Sequence, residues 1–254
     1  MEKLFYHLPK EAIAQEPAEP RSSSRLLVLY RNFCRIEHRR FFDLPELLEE
    51  GDLLVVNNAR VSPYRLRGRK IPTGGNVEIL LIEEKNEREW WALMKPGRRV
   101  HPGTRFELVP SAKKGRKILI SKEIPPVVQG EVTEKTAEGF FCIRFTVPVK
   151  EYLELIGHLP IPPYVKKPLE NEERYQTIFA SRTGALAAPT ASLHFDEPLF
   201  KSLKNKGIAC AEITLLIGVS AILEPEGENL RPEWAEISKE TADAIQQARD
   251  SGKR

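Results

Sequence analysis

From Tyr64 to Val147 apolar and polar residues alternate in short runs: R-L-R-G-R-K, N-V-E-I-L-L-I-E-E, E-W-W-A-L-M-K, T-R-F-E-L-V, R-K-I-L-I and G-F-F-C-I-R-F-T-V. Period-two alternation sends successive side chains to opposite faces of a strand. Gly, Pro and Lys turns separate the runs at roughly ten-residue intervals, the spacing of a β-barrel or sandwich. Outside this stretch the texture changes. Arg25–Tyr30 and Arg35–Phe41 read as two strands about a turn at Arg31-Asn32, and residues 42–50 as a short helix capped by Asp43 and ended by Gly51. The run D-L-L-V-V-N-N predicts a buried strand. Helices are predicted over residues 149–157, 196–206 and 238–251, with the strand I-A-C-A-E-I-T-L-L-I between the last two. The prediction is a layered α/β domain formed by both chain ends, residues 1–63 and 148–254, carrying an inserted all-β barrel domain at 64–147. Residues 1–24, rich in proline and charge, suit packing over a surface rather than nucleating a core.

Composition narrows the class. The 254 residues are 41% hydrophobic and 30% charged, as in a globular protein. The net charge of +3 comes from 39 basic and 36 acidic residues, so local patches, not the total, bear on nucleic acid. Cys34, Cys142 and Cys210 are far apart and read as reduced, buried thiols. Five scattered histidines predict no metal site. The absence of a signal-like N-terminus or a membrane-length apolar run predicts a cytoplasmic protein without membrane contact. G-x-S-x-G, P-loop, G-x-G-x-x-G and H-E-x-x-H motifs are missing.

Candidate chemistry concentrates between Arg174 and Phe195. Tyr175, Gln176, Thr177, Thr190, Ser192 and His194 surround the small residues Gly184 to Ala188. Small side chains permit close approach of a backbone to a ligand. Tyr175 and Gln176 can hydrogen-bond a heterocycle edge, or serve as a core ring and a solvent amide. On an extended segment Thr190, Ser192 and His194 would share one face, where hydroxyls bind a ribose and the imidazole exchanges a proton. The alternative for His194 is a satisfied core histidine. Asn57, Asn58 and Arg60 end a strand where α/β sheets bind ligands; turn formation explains them equally well. Arg65, Arg67 and Arg69 alternate onto one sheet face and, with Lys70, could follow an RNA backbone. Asp52, Glu83-Glu84 and Glu172-Glu173 read as solvated faces, and Thr73-Gly74-Gly75-Asn76 as a tight turn.

Quoted in order, L-P-K-E-A-I-A-Q-E-P-A-E-P-R-S-S-S-R-L-L-V-L, G-D-L-L-V-V-N-N-A-R-V-S-P-Y-R-L-R-G-R-K, G-H-L-P-I-P-P-Y-V-K, R-Y-Q-T-I-F-A and A-A-P-T-A-S-L-H-F resemble the S-adenosylmethionine:tRNA ribosyltransferase-isomerases of queuosine biosynthesis. The resemblance runs to about Thr214. It implies an α/β domain with an inserted barrel, S-adenosylmethionine as co-substrate, no metal, and a tRNA with a GUN-type anticodon as partner. It also implies transfer of the ribosyl group to an aminomethyl-deazaguanine wobble base, giving epoxyqueuosine. By motif position, His194 would move the proton and Thr190 and Ser192 would hold the ribose. Tyr175 and Gln176 would meet a base edge, with Asn57 beside the ligand and Arg60 on an anionic group. A monomer or weak homo-oligomer is expected.

Several positions depart from the family pattern. N-N-A-R stands for N-D-T-R, Ser192 for a glycine, L-I-G-V-S-A-I for H-V-G-x-G-T-F, and L-R-P-E for M-H-x-E. The family extends past Arg254, so an exposed sheet edge and apolar face are expected here. Two alternatives remain open: a non-catalytic or impaired relative that binds tRNA or S-adenosylmethionine, and an unrelated RNA-binding barrel with an α/β cap.

Overall fold

The computed structural model describes residues 6–109, 127–223 and 232–254. The strand expected at 116–120, the basic run Lys113-Lys114-Arg116-Lys117 and the first half of L-R-P-E lie outside the described residues. The strands are β1 Arg25–Tyr30, β2 Arg35–Arg40, β3 Leu53–Asn57, β4 Ala59–Val61, β5 Arg65–Ile71, β6 Asn76–Asn86, β7 Glu89–Lys95, β8 Arg105–Leu108, β9 Gln129–Lys135, β10 Phe141–Phe145, β11 Gly157–His158, β12 Arg182–Ala185, β13 Ala209–Leu215 and β14 Ala235–Glu236. The α-helices are α1 Leu44–Leu47, α2 Leu153–Ile156, α3 Glu197–Asn205 and α4 Lys239–Asp250. Two compact units divide the chain: Met1–Val61 with Ile161–Arg254, and Ser62–Pro160.

In the second unit the strands run β5-β6-β7-β10-β9-β8, and β8 pairs back onto β5, closing a six-stranded barrel. Closure protects the strand edges that would otherwise invite aggregation. Alternation fills the interior: Leu66, Ile79, Leu81, Trp90, Phe106, Phe141, Ile143 and Phe145 are fully or almost fully buried. Strand β9 is not apparent in the sequence because its glycine breaks the apolar pattern. That glycine is required, since a Cβ at Gly130 would lie 2.4 Å from Cζ of Phe106. The hairpin at Thr73-Gly74 is the expected tight turn, with Gly74 at φ +70° and its N–H donating to the Lys70 carbonyl. Arg65, Arg67 and Arg69 do share the outer face of β5. Their neighbours are not all neutral, however. Glu78 stands opposite Arg67 and Glu107 opposite Arg69, and Arg65 approaches Glu78 at 3.8 Å.

In the first unit β3 and β13 run parallel, with β14 antiparallel on β13, and α3 and α4 pack against β13. β4 pairs in parallel with β12. The protein is thus an α/β fold with a closed β-barrel. Helices α3 and α4 follow the predicted ranges, capped by Asp196, which accepts from Leu199 N–H, and by Ser238, which accepts from Thr241 N–H. The predicted helix at 42–50 shrinks to a 3-10 turn, Phe41–Asp43, and the single turn α1. The Asp52 carboxylate takes the Glu49 N–H at 2.9 Å, which a continuing helix would have used. The helix expected at 149–157 likewise opens as a 3-10 turn before α2. Outward apolar side chains line the β1–β2 hairpin: Leu27, Leu29, Phe33 and Ile36 are all more than half exposed.

Two expectations are corrected. Asp52 is buried rather than solvated, with its side chain 4% exposed, because it accepts from the backbone N–H groups of Glu49 and Arg254 and faces the Arg254 guanidinium at 3.5 Å. Cys34 is exposed, since the 3-10 turn Arg31–Phe33 leaves it in the left-handed region at the hairpin tip; Cys142 is buried and Cys210 half-buried.

Phe106 meets Phe145 edge-on at 6.2 Å inside the barrel. Phe106→Ala is expected to cost about 3–5 kcal/mol of stability, measured by urea unfolding. The Glu49 N–H above all holds the Asp52 carboxyl below its ordinary value, against the opposing effect of burial. A depressed folded value stabilises the protein above the unfolded value, and that stabilisation disappears as pH falls through the folded one. Asp52→Asn should therefore lower stability at pH 7 and flatten its loss in acid. Melting curves from pH 7 downward check this; parallel curves for both proteins would contradict it.

Candidate active site

The end of β3 is built from its own amides. Asn57 Oδ1 accepts from Ala59 N–H at 3.0 Å and Leu215 N–H at 3.1 Å, while Nδ2 donates to the Leu215 carbonyl at 2.9 Å. The side chain acts as a substitute peptide and lets the chain step from the β3–β13 ladder to β4. Asn58 Nδ2 donates to Glu212 Oε2 at 3.1 Å, and its Oδ1 accepts from Thr214 Oγ1 at 2.7 Å. Both asparagines are committed to protein partners. Arg60, on β4, pairs with Glu173 at 2.5 Å and stays partly exposed.

Gln176 is 4% exposed and makes a two-bond clasp with β4. Its Oε1 accepts from Val61 N–H at 2.9 Å, and its Nε2 donates to the Val61 carbonyl at 2.9 Å. Buried amides are stable only when both halves are paired, and here both are. The clasp fixes the 3-10 turn Glu172–Tyr175, capped by Asn171, beside the strand that carries Arg60. Tyr175 and Thr177 flank Gln176 and are buried with it.

Thr190–His194 is a 3-10 turn, not an extended segment, which corrects the expectation that Thr190, Ser192 and His194 share a face. Pro189 presets the turn, and its carbonyl accepts from Ser192 N–H at 2.9 Å. At three residues per turn, residues two apart point away from each other and residues three apart align. Thr190 and Leu193 accordingly line one cleft, together with Tyr175, Arg174, Tyr164 and Pro17. His194 points elsewhere, with its ring 5.2 Å from that of Phe41. Burial pushes its imidazole below the ordinary histidine value, so the neutral base predominates at pH 7. Ser192 is half-buried on the remaining side.

Residues 14–22 complete the site, and, as their composition predicts, they pack over a surface rather than forming a core. The Arg21 guanidinium donates to the carbonyls of Leu193 at 3.3 Å and Glu173 at 3.1 Å, joining the two 3-10 turns. Ser22 N–H donates to Asp196 at 3.0 Å. Gln15 Nε2 donates to the Tyr164 carbonyl at 3.0 Å, and its Oε1 accepts from Lys166 N–H at 2.7 Å. Glu16 pairs with Lys167. Arg174 reaches the Ala18 carbonyl at 2.7 Å and Glu19 at 3.1 Å. The individual contacts are not legible in the sequence, where Arg21 stands simply among the turn residues of P-R-S-S-S. Among the described residues no group of three or more His, Cys, Asp or Glu comes together around a possible metal position, and no helix is long and apolar enough to cross a membrane.

The profile of the family described as "Queuosine biosynthesis protein" matches residues 1–254. An S-adenosylmethionine:tRNA ribosyltransferase-isomerase from Clostridioides difficile is 40% identical over 98% of this chain and 70% of its own length. One of the same name from Thermus thermophilus is 41% identical over 100% of this chain and 72% of its own. A solved S-adenosylmethionine tRNA ribosyltransferase from Thermotoga maritima is 31% identical over 98% of this chain and 66% of that one, with a TM-score of 0.41. The matched span takes in the Asn57–Val61 corner, the Gln176 clasp and the Thr190–His194 turn alike, and the chain belongs to the queuosine biosynthesis protein family.

Proposed function

We propose that the protein is an S-adenosylmethionine:tRNA ribosyltransferase-isomerase acting in the cytoplasm on a tRNA with a GUN-type anticodon. It would move the ribosyl group of S-adenosylmethionine onto an aminomethyl-deazaguanine wobble base to give epoxyqueuosine, with adenine and methionine leaving. The observation that carries this reading is the 40–41% identity to relatives of that name over 98–100% of the chain. A sulfonium acidifies the methylene beside it, so a neutral general base suffices to begin the reaction. His194, kept neutral by burial, is that base in this reading. Thr190 holds the ribose from the rim of the cleft it shares with Tyr175, Ser192 meets the substrate from another side of the turn, Tyr175 faces the adenine of the co-substrate, and Arg60 exchanges Glu173 for an anionic group of the substrate. Gln176 and Asn57 act at one remove, through the backbone they fasten. The outer arginines of β5, with Lys70, contact tRNA phosphates.

One observation favours a second reading, a relative with weak or no turnover. Asn58 occupies the position where the family resemblance expects a carboxylate, and its amide is tied to Glu212 and Thr214. Mass spectrometry of nucleosides decides between the two. Epoxyqueuosine and free adenine formed from S-adenosylmethionine and the precursor tRNA support the first reading; binding of both substrates without product supports the second.

His194→Gln is expected to lower kcat by about 10²–10⁴. The acid limb of the wild-type profile should lie below the ordinary histidine value, with activity rising as the imidazole deprotonates. A variant with unchanged kcat would remove His194 from the chemistry. Replacing Arg65, Arg67 and Arg69 together by alanine should weaken tRNA binding and reduce its salt dependence by about one unit of log–log slope for each phosphate no longer neutralised. Filter binding at several salt concentrations measures this, and an unaltered slope would place the tRNA on another face.

A further inference from the structure

The cleft beside Tyr175 is small and lined mainly by apolar side chains. Its volume is about 210 Å³, and Pro17, Pro162, Tyr164, Tyr175, Thr190 and Leu193 line it. An apolar cavity of about 150 Å³ takes one benzene ring, whereas drug-sized ligands need about 300–1,000 Å³. One fused bicyclic heterocycle fills such a volume, and the rest of a nucleoside sulfonium would extend out of the open cleft. Apart from residues 14–17, the apolar lining is Tyr164 and Tyr175 with Pro162 and the aliphatic Ile161, Val165, Leu169 and Leu193, and the two phenol rings suit a planar π-system. Thr190 stands exposed at the rim, where a hydroxyl can both give and accept a hydrogen bond.

The roof differs in kind from the walls. Residues 14–17 border the cleft, and the segment 14–19 to which they belong is fastened by Gln15 to Tyr164 and Lys166, by Glu16 to Lys167, and by Arg174 to Ala18 and Glu19. Glu16 and Glu19 are 67% and 78% exposed. Exposed pairs of this type contribute little and part readily. Tyr164 borders the cleft and is 54% exposed, so its ring is open to a ligand.

We propose that this cleft is the adenine subsite of the co-substrate, with the base stacked against Tyr164 beneath the strap of residues 14–19 and the ribose leaving past Thr190. The proposal rests on the ribosyltransferase reading and adds to it the place of the leaving base. A reaction that releases adenine needs a pocket sized for the base alone and a roof that can lift to let it go.

Calorimetry of the full chain with free adenine tests the subsite without any turnover. Wild type should bind adenine. Tyr164→Ala should raise both the Kd for adenine and the KM for S-adenosylmethionine about tenfold, the scale of one aromatic stacking interaction. Tyr164→Phe should stay close to wild type, and tRNA affinity should not change in either variant. Failure of wild type to bind adenine, or an alanine variant that binds it equally well, overturns the assignment. So does occupation of the cleft by free aminomethyl-deazaguanine in place of adenine. Adenine binding without any epoxyqueuosine product keeps the subsite and rejects the proposed function. Turnover with a KM indifferent to Tyr164 does the reverse.

Discussion

The clasp between Gln176 and Val61 is the interaction on which the site's geometry depends. A glutamine side chain takes the place of a neighbouring strand, satisfying both the N–H and the carbonyl of one residue in β4. Without it the short strand β4 would present unpaired backbone on that side in a buried setting, at about 1–3 kcal/mol per orphaned group. The same clasp sets the distance between Arg60 and Glu173, and it holds the 3-10 turn that delivers Tyr175. Position and stability are here two effects of one pair of hydrogen bonds.

Arg21 extends the same logic to the second turn. A guanidinium presents several donors in a fixed plane, so it can serve two carbonyls from separate segments at once. By joining Glu173 to Leu193 it makes the two 3-10 turns one wall. Short turns have few internal bonds, and side chains from elsewhere must supply what a long helix would supply for itself. The density of side-chain-to-backbone bonds around residues 171–196 follows from that shortage.

The barrel is legible in the sequence because its signal is periodic: Leu66, Ile79, Leu81, Trp90, Phe141 and Ile143 recur at strand spacing and face inward. Strand β9 escapes because Gly130 makes room for the Phe106 ring, and that need arises only in three dimensions. Residues 190–194 mislead for a related reason. Alternating Thr, Ser and His looks like one face of a strand, but Pro189 starts a turn with a threefold repeat, and the same residues then diverge. Asn57 and Gln176 stand out in the sequence as polar residues near a ligand. That their amides are already engaged by Leu215 and Val61 is invisible there, because those partners lie 158 and 115 positions away. Arg21 carries no periodic signal at all.

The separation of partners also bears on the order in which the molecule assembles. Gln15 meets Tyr164 across 149 positions, Arg21 meets Leu193 across 172, and Ser22 meets Asp196 across 174. The barrel's hairpins, β5 with β6 and β6 with β7, close between chain neighbours. Contacts between neighbours form early, and those that close long loops form late. The strap is thus made long before the segments that fasten it and is among the last to find its place. Until the chain has been synthesised past Arg174 nothing fastens the strap, and until it has passed Leu193 the cleft lacks a wall, so the completed pocket is a product of a late stage of folding.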